Sequence, residues 1–582
     1  MVGQEIFQSG AVPSDTDFRI FRDFGNIPGI DMAYVAKGYV YHTEYDTIEQ
    51  IDNGTVQRAG TNLLAIVKNL AAQELDRKME TNVVFFDLFG VFMVHYPAWA
   101  GTVLNSLCLV LLVFLIAVDL RSRHKPDQEE LTYGRFGRLL LCCAGSSIIS
   151  ILLSLAVSAG VAALLSTLHR DMSWFSSPYL LFLLYSVPTL AVQLGFCSLL
   201  PHLLARRRTV PGSLHQSLHL HCQALLLALL LLPLILFDVK SAFLVSLPVF
   251  LYSLWLLLDT YLPDRPVLSQ LLLVFLQAPA LLLTCYNIQL VYMFFIPVMG
   301  RWGTATSPDL LLGPATALFT CYLLHMYLPL LYSLQPTARR LLLLLLALMW
   351  LTSLLATIFS PISFPFTSNP GERRPQRLTV LHAGVKGGQG APAAGQGGLL
   401  VQRWDHHWAS ELEEAVQQYR EAVVLTTRLC QQEELLVCNS PDWREGNLWL
   451  EGQGYLVEEG SGLREVGRRV EGEVVMLELE LTGQERLELE ARVTGGDEFV
   501  GGGRRERVSV VRGGEGRVSR LELVLRVAGG LEGKVELEVW LSGHHTTEQV
   551  SSKIEFFLLS IDRPATVWID LLILFLFCCC IF

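Results

Sequence analysis

Eight stretches of this chain are apolar over roughly the length that carries a helix through a bilayer, about 20 residues. They fall near residues 101–119, 138–162, 179–204, 217–237, 241–258, 267–298, 309–334 and 341–360. The sixth is long enough to be tilted or broken, and it contains Pro279 and Pro297. Charged and turn-forming residues are crowded out of this zone into residues 1–83 and 361–565. Ahead of the first run, Phe85-Phe86-Asp87-Leu88-Phe89-Gly90-Val91-Phe92 closes on Tyr96-Pro97. The proline argues for a break before the span proper. The segment reads as interfacial, with a hydrophobic strand or helix of the head equally allowed. A last run, Trp568 to Phe582, is interrupted by Asp570 and falls short of a span.

A different period governs the tail. Val475, Leu477, Leu479 and Leu481 alternate with Glu478 and Glu480, and Leu487, Leu489, Ala491, Val493 repeat the pattern. Leu521, Leu523, Leu525, Val527 and Val535, Leu537, Val539, Leu541 repeat it again. Period-two runs between Gly-rich turns predict antiparallel strands. The Gly-, Ala- and Gln-rich stretch from Gly384 to Gly398 predicts a linker or loop. In the head, Val35 to Tyr41 reads as a strand leading into a loop. Val56, Ala59, Leu63, Leu64, Ile66, Val67, Leu70 and Ala71 recur near helical spacing, which predicts an amphipathic helix packed on a sheet. The expected fold is a polytopic α-helical membrane protein with a partial α/β head and a β-sandwich-like C-terminal domain. Its parts are a head over 1–83, an interfacial segment over 84–100, eight membrane helices over 101–360, a linker over 361–400 and a β-rich tail over 401–582.

Composition agrees. The 582 residues are 51% hydrophobic and 17% charged, with mean hydropathy +0.41, whereas soluble proteins carry about 25% charged residues. These values exclude a soluble globular protein, a disordered one and a nucleic-acid binder. The net charge of −11 also argues against a polyanion partner. Lysine and arginine between the runs set the orientation. The loops after odd-numbered runs hold Arg121, Arg123, Lys125, Arg135, Arg138, Arg206, Arg207, Arg208, Arg265, Arg339 and Arg340; those after even-numbered runs hold only Arg170, Lys240 and Arg301. The odd loops are therefore expected in the cytoplasm, with head and tail on the other side, in the lumen or exterior.

Two features suit that side. Asn53-Gly54-Thr55 is a glycosylation sequon in the head, although lone sequons also arise by chance. Cys430 and Cys438 lie eight apart in the tail, where an oxidising compartment allows a disulfide. Seven other cysteines sit in the runs as small apolar residues, and Cys578, Cys579 and Cys580 end the chain. Met1 to Gly10 lacks the apolar core of a signal peptide. Export of the head is thus expected to rely on the first span as a reverse anchor or on sequence upstream of Met1. His202, His215, His219, His221 and His325 lie in or beside the runs, as interfacial or interhelical hydrogen-bonding groups or as a metal or proton site. His406-His407 and His544-His545 read as solvated surface, because adjacent histidines in a strand point to opposite faces.

The head holds the nameable chemistry. His42 stands between Tyr41 and Thr43, four residues before Asp46. A neutral imidazole there could bind zinc, with Asp46 or the threonine hydroxyls orienting it. On residue type alone, a lone histidine on a loop is more often a hydrogen-bonded structural residue. Ser14-Asp15-Thr16-Asp17-Phe18-Arg19, Gly25-Asn26-Ile27-Pro28-Gly29-Ile30-Asp31 and Tyr41-His42-Thr43-Glu44-Tyr45-Asp46-Thr47 together resemble the last part of a dizinc aminopeptidase-type metallopeptidase domain. The resemblance is strongest to the multi-spanning branch of the endoplasmic reticulum, and its wording is specific over residues 1–100.

That resemblance implies a zinc-dependent peptidase of the endoplasmic reticulum membrane, using two zinc ions to activate a water, with peptide or protein substrates and membrane lipid as partners. The oligomeric state is left open. The resemblance makes His42 the family's last zinc ligand, places Tyr41 beside the substrate carbonyl where a phenol stabilises an oxyanion, and makes Asp46 an outer partner of the metal site. Asp15 and Asp17 belong to a motif that shapes the site. The family's upstream H-x-D, its Glu-Glu pair and a further carboxylate ligand have no counterpart: no histidine precedes His42, and the first Glu-Glu is Glu129-Glu130 in an expected cytoplasmic loop. Catalytic zinc wants three protein ligands and an open position. The chain is therefore expected to be a fragment of an enzyme or an inactive product. The alternatives are a non-catalytic membrane scaffold or chaperone-like protein and, more remotely, a transporter.

Overall fold

The computed structural model describes residues 17–25, 27, 29, 31–34, 36–43, 45–72, 83–123, 133–205, 212–262, 265–303, 305–367, 369, 372–385 and 396–407, and the tail strands given below. Described residues up to Gln376, with Asp405–His407, form one compact unit; the remainder of the tail forms a second.

The head contributes two helices, α1 (Phe18–Asp23) and α2 (Thr55–Ala71). Gly54, at φ +84°, makes the turn into α2 that a residue with a Cβ adopts only under strain. No residue of α2 is buried, and Val56, Leu63, Leu64, Val67 and Leu70 are each at least 40% exposed. The helix was expected and is present; the sheet expected beneath it is absent among the described residues. The strand expected over Val35–Tyr41 is also replaced: Ala36–Thr43 runs as turns. Lys37 and His42 have φ of 60° and 57°, and a left-handed residue cannot continue an extended strand.

The segment before the first span is a hairpin, β1 (Val83–Leu88) paired with β2 (Phe92–Pro97). Phe89 and Gly90 turn it with positive φ. The Asp87 carboxylate accepts the Gly90 N–H at 2.9 Å and the Tyr286 hydroxyl. Val84 and Phe86 pack with Ala98 and Phe243, the two phenyl rings stacking at 3.8 Å.

Pro97 leads directly into α3 (Ala98–Arg123). Then come α4 (Tyr133–Thr167), α5 (Val187–Ala205), α6 (Gly212–Leu236), α7 (Phe243–Asp259), α8 (Pro266–Met299), α9 (Asp309–Leu324) and α10 (Pro336–Phe359). Short turns at Ser173–Ser176 and Tyr179–Leu181 and a π-turn at Phe182–Ser186 lead into α5. Among the described residues, seven of the apolar helices are long enough to cross a membrane. The seventh expected span, over 309–334, is shorter as a helix: α9 has 16 residues, about 24 Å, against a hydrocarbon core of about 30 Å. Pro329 lacks the N–H that would continue it, and the chain tightens into a 3-10 turn over Leu328–Ser333. The sixth run forms the single helix α8 with both prolines inside it.

Buried polar groups tie the helices together. Pro248 inside α7 leaves the Leu244 carbonyl without its helical donor, and the Tyr322 hydroxyl fills the vacancy at 2.7 Å. His221 bridges Asp119 at 2.9 Å and Tyr252 at 2.8 Å, linking α6 to α3 and α7. Gln193 of α5 accepts from Ser150 at 3.0 Å and donates to Ser154 at 3.2 Å on α4. His219 lies 3.3 Å from the Ser147 hydroxyl.

In the tail, β13 (Thr566–Trp568), β3 (Gln376–Val385), β4 (Gln396–Arg403), β6 (Leu448–Gly452) and β5 (Val423–Leu425) form a five-stranded sheet in that order. A second sheet orders β11 (Ser519–Arg526), β8 (Val474–Thr482) and β7 (Gly462–Glu471), and a third β10 (Arg505–Val511), β9 (Arg486–Thr494) and β12 (Glu536–His544). Register follows the alternation: Leu479 faces Leu521 and Leu477 faces Leu523, while Glu478 faces Glu522. These pairings establish sheets, not a sandwich. The linker expected over 361–400 contains β3 and the start of β4. Cys430, Cys438, His545 and residues 569–582 lie outside the described residues.

The candidate active-site loop and a buried acid cluster

Local hydrogen bonds shape the loop that carries His42. The Thr43 hydroxyl donates to the Val40 carbonyl at 2.6 Å and accepts the Tyr45 N–H at 3.3 Å, while the Asp46 N–H reaches the Thr43 carbonyl at 3.1 Å. Such threonine-closed turns compete with strand pairing, which accounts for turns in place of the expected strand. Val40 is the one buried residue described between 17 and 72. Tyr41 and His42 stack with ring centroids 3.7 Å apart. His42 in the left-handed region is the kind of backbone outlier that gathers at functional sites.

Three arginines cover this loop. The Arg301 guanidinium lies 4.7 Å from the centre of the Tyr41 ring, Arg374 4.8 Å from that of Tyr39, and Arg373 4.1 Å from that of Tyr45. Arg374 also donates to the carbonyls of Phe175, at 2.8 Å, and Ser176. Phe175 meets Tyr39 edge-on at 5.1 Å. Burial pushes the Tyr39 phenol above its ordinary value, with Arg374 opposing and Glu372 adding to the rise. Burial lowers the Arg301 guanidinium, and Tyr41 acts in the other direction.

Of the residues expected at a metal site, Tyr41, His42 and Asp46 share this loop, but no hydrogen bond joins the Asp46 carboxylate to the His42 ring among the described residues. Asp17 caps α1 without a side-chain bond, and Asp15 lies outside the described residues. Among the described residues, no group of three His, Cys, Asp or Glu side chains is placed to hold a metal ion. The described residues, with this single imidazole, do not make up a two-zinc centre. Asn53 sits in an exposed turn.

A second constellation escaped the sequence reading. Asp309, fully buried at the start of α9, accepts the Tyr185 hydroxyl at 2.6 Å and the Met172 N–H at 2.7 Å. Asp171, beside Met172, accepts Ser307 at 3.0 Å and His406 at 2.6 Å, with His407 at 3.4 Å. Burial raises the Asp171 carboxyl, but the two imidazoles outweigh it and hold it well below the usual carboxylate range. His406 and His407 are thus not the solvated pair expected: His407 is 6% exposed, and both face an acid more than 200 residues away. Tyr185 belongs to the π-turn, a distortion frequent at functional sites. Only the run Ser307-Pro308-Asp309 at a span edge hinted at this cluster.

Comparison with known proteins identifies both parts of the unit. The model of peptidase family M28 matches residues 1–67, and that of the endoplasmic reticulum metallopeptidase 1 transmembrane domain matches residues 137–357. Endoplasmic reticulum metallopeptidase 1 of Homo sapiens is 32% identical over 399 residues, covering 66% of this chain and 42% of the human protein. The Mus musculus protein is 32% identical over 406 residues, with the same coverage. The putative endoplasmic reticulum metallopeptidase 1-B of Caenorhabditis elegans is 30% identical over 334 residues, 55% of this chain and 34% of its own length. The chain thus spans about two fifths of the length of the mammalian relatives it matches. No solved structure matches. An M28 stretch that includes Tyr41, His42 and Asp46, followed by membrane helices of the matching kind, makes this chain a multi-pass membrane relative of the endoplasmic reticulum metallopeptidases.

Proposed function

We propose that the chain is the membrane-proximal end of a zinc metallopeptidase that cleaves peptide bonds on the lumenal side of the endoplasmic reticulum membrane. The observation that carries this reading is the M28 match, which falls on the loop where Tyr41 and His42 are stacked in a left-handed turn. In this reading His42 supplies one metal-binding imidazole, Tyr41 an oxyanion-stabilising phenol, and Asp46 an outer partner. The other donors of a two-zinc site and the general base come from residues outside this sequence, so no hydrolytic step through zinc follows from the residues described. The uncovered apolar face of α2 fits a head completed by further chain.

The Lys/Arg asymmetry of the loops supports a lumenal head and tail. On that side Asn53 would be glycosylated, Cys430 and Cys438 would pair, and the tail sheets would stack as a sandwich. A second reading is a non-catalytic scaffold, compatible with described residues that do not gather three metal-ligating side chains.

The experiment is metal content and peptide hydrolysis, measured on the chain as it stands and on a version extended with the remaining M28 residues of a relative. The enzyme reading expects bound zinc and hydrolysis only in the extended protein, with a loss of about a thousandfold in His42→Ala, the scale on which one essential catalytic group acts. Undiminished hydrolysis in His42→Ala would remove His42 from the metal site, and no hydrolysis in the extended protein would rule for the scaffold.

A further inference from the structure

We infer that the membrane domain is a positioning part of the head: Arg301, Arg373 and Arg374 form a cationic socket that holds the Tyr39–Tyr45 segment and, through Tyr41, sets the place of His42. The functional meaning of the socket rests on the reading of His42 given above; the socket itself does not.

Among the described residues, the head's own helices bury nothing against this loop. Neither α1 nor α2 buries a residue, and Val40 alone is buried among its described positions. What surrounds the loop comes from far along the chain. Arg301 follows the end of α8, Arg373 and Arg374 precede β3, and Phe175 lies between α4 and α5. The three arginines meet tyrosines at positions 39, 41 and 45, one guanidinium to each ring, so the contacts fix the orientation of the segment as well as its distance. A planar guanidinium stacks on an aromatic face in a way that an ammonium does not.

The backing of the socket is rigid. Arg374 is tied to two backbone carbonyls. A Cβ at Gly300 would stand 2.8 Å from the Phe175 ring, so that ring has a place only because position 300 is glycine. A Cβ at Gly38 would touch Pro297 at 3.4 Å, which seats the loop against the end of α8. A left-handed turn at Lys37 precedes the clamped stretch and another at His42 lies within it, and strained backbone persists only where its surroundings enforce it.

The test uses the whole chain in lipid nanodiscs, with amide hydrogen exchange read over residues 37–51 and over the membrane helices. Arg301→Met with Arg374→Met is expected to raise exchange over 38–46 by about tenfold or more, with the helices unchanged, since local opening tracks local contacts. The double lysine variant should restore part of the protection. Unchanged exchange over 38–46 in the methionine variant overturns the socket. If that variant does not fold, Tyr45→Leu, which removes the stacking of Arg373 on the ring, must loosen the same segment or the inference fails.

Zinc is the second probe, on the chain extended with the remaining M28 residues of a relative. There zinc should slow exchange around His42, an effect lost in His42→Ala and weakened in the methionine variant. Zinc protection untouched by the methionine variant would overturn the positioning role. If zinc has no effect on the extended protein while the arginine variants still free the loop, the socket stands and the metal reading falls.

Discussion

Two pieces of the head, separated by residues 47–54, are held in opposite ways. The helix α2 is regular and bears an apolar stripe of which no residue is buried. The Tyr39–Asp46 loop is irregular, yet one residue is buried and three rings are covered by arginines. Regular secondary structure is thus no guide to where this head is anchored. The helix rests on local propensity and awaits a partner, whereas the loop takes its order from side chains contributed by the membrane domain.

Four measurements press on that contrast. Phe175→Ala should have the largest effect. It removes a fully packed ring under Tyr39 and Arg374, a change that costs about 3–5 kcal/mol in a core. The thermal midpoint in detergent should fall and protection over 38–46 should vanish; a loop that stays protected would mean the support lies elsewhere. Val40→Ala comes next. Losing two buried methyl groups is worth about 1.5 kcal/mol, and protease nicking near residue 40 should report it without loss of the helices.

A smaller effect follows from pH. Burial raises the Tyr39 phenol above 10.0, so folding favours its neutral form. That contribution is complete below pH 10 and is lost as pH rises through the higher folded value. The absorbance difference between wild type and Tyr39→Phe should therefore develop only above pH 10, and phenolate seen earlier would argue that the ring is not buried. Smallest of all, Leu63→Ser on α2 should move the thermal midpoint by no more than about 0.5 kcal/mol, because Leu63 is 54% exposed. A large loss there would show that α2 is covered after all.

The apolar runs made the membrane helices legible, since length and exclusion of charge are local properties. The alternation of Leu477, Leu479 and Leu481 made β8 legible for the same reason. The α9 shortfall was hidden because Pro329 is one residue in a continuous apolar run. At the site, Tyr41, His42 and Asp46 could be picked out by motif, but not their surroundings. Arg301 and Arg374 are separated from Tyr41 and Tyr39 by hundreds of residues, and His406 from Asp171 by 235. No period or spacing records a contact of that kind; it exists only after the helices have packed. The strand expected at Val35–Tyr41 failed because the Thr43 hydroxyl closes a turn that apolar content does not reveal.

The β1–β2 hairpin carries a consequence for depth. A two-stranded ribbon has two open edges, each a row of backbone groups with no strand beside it. Hydrocarbon offers those groups nothing, at a cost of several kcal/mol for each one left bare. Yet the ribbon shows Phe85, Phe89, Val91, Phe92 and Met93 to its surroundings and runs without a break into α3. Both demands are met in a headgroup layer, where apolar side chains reach down and edge amides still find water. We propose that the hairpin lies there, as a waterline that sets how far above the bilayer His42 stands.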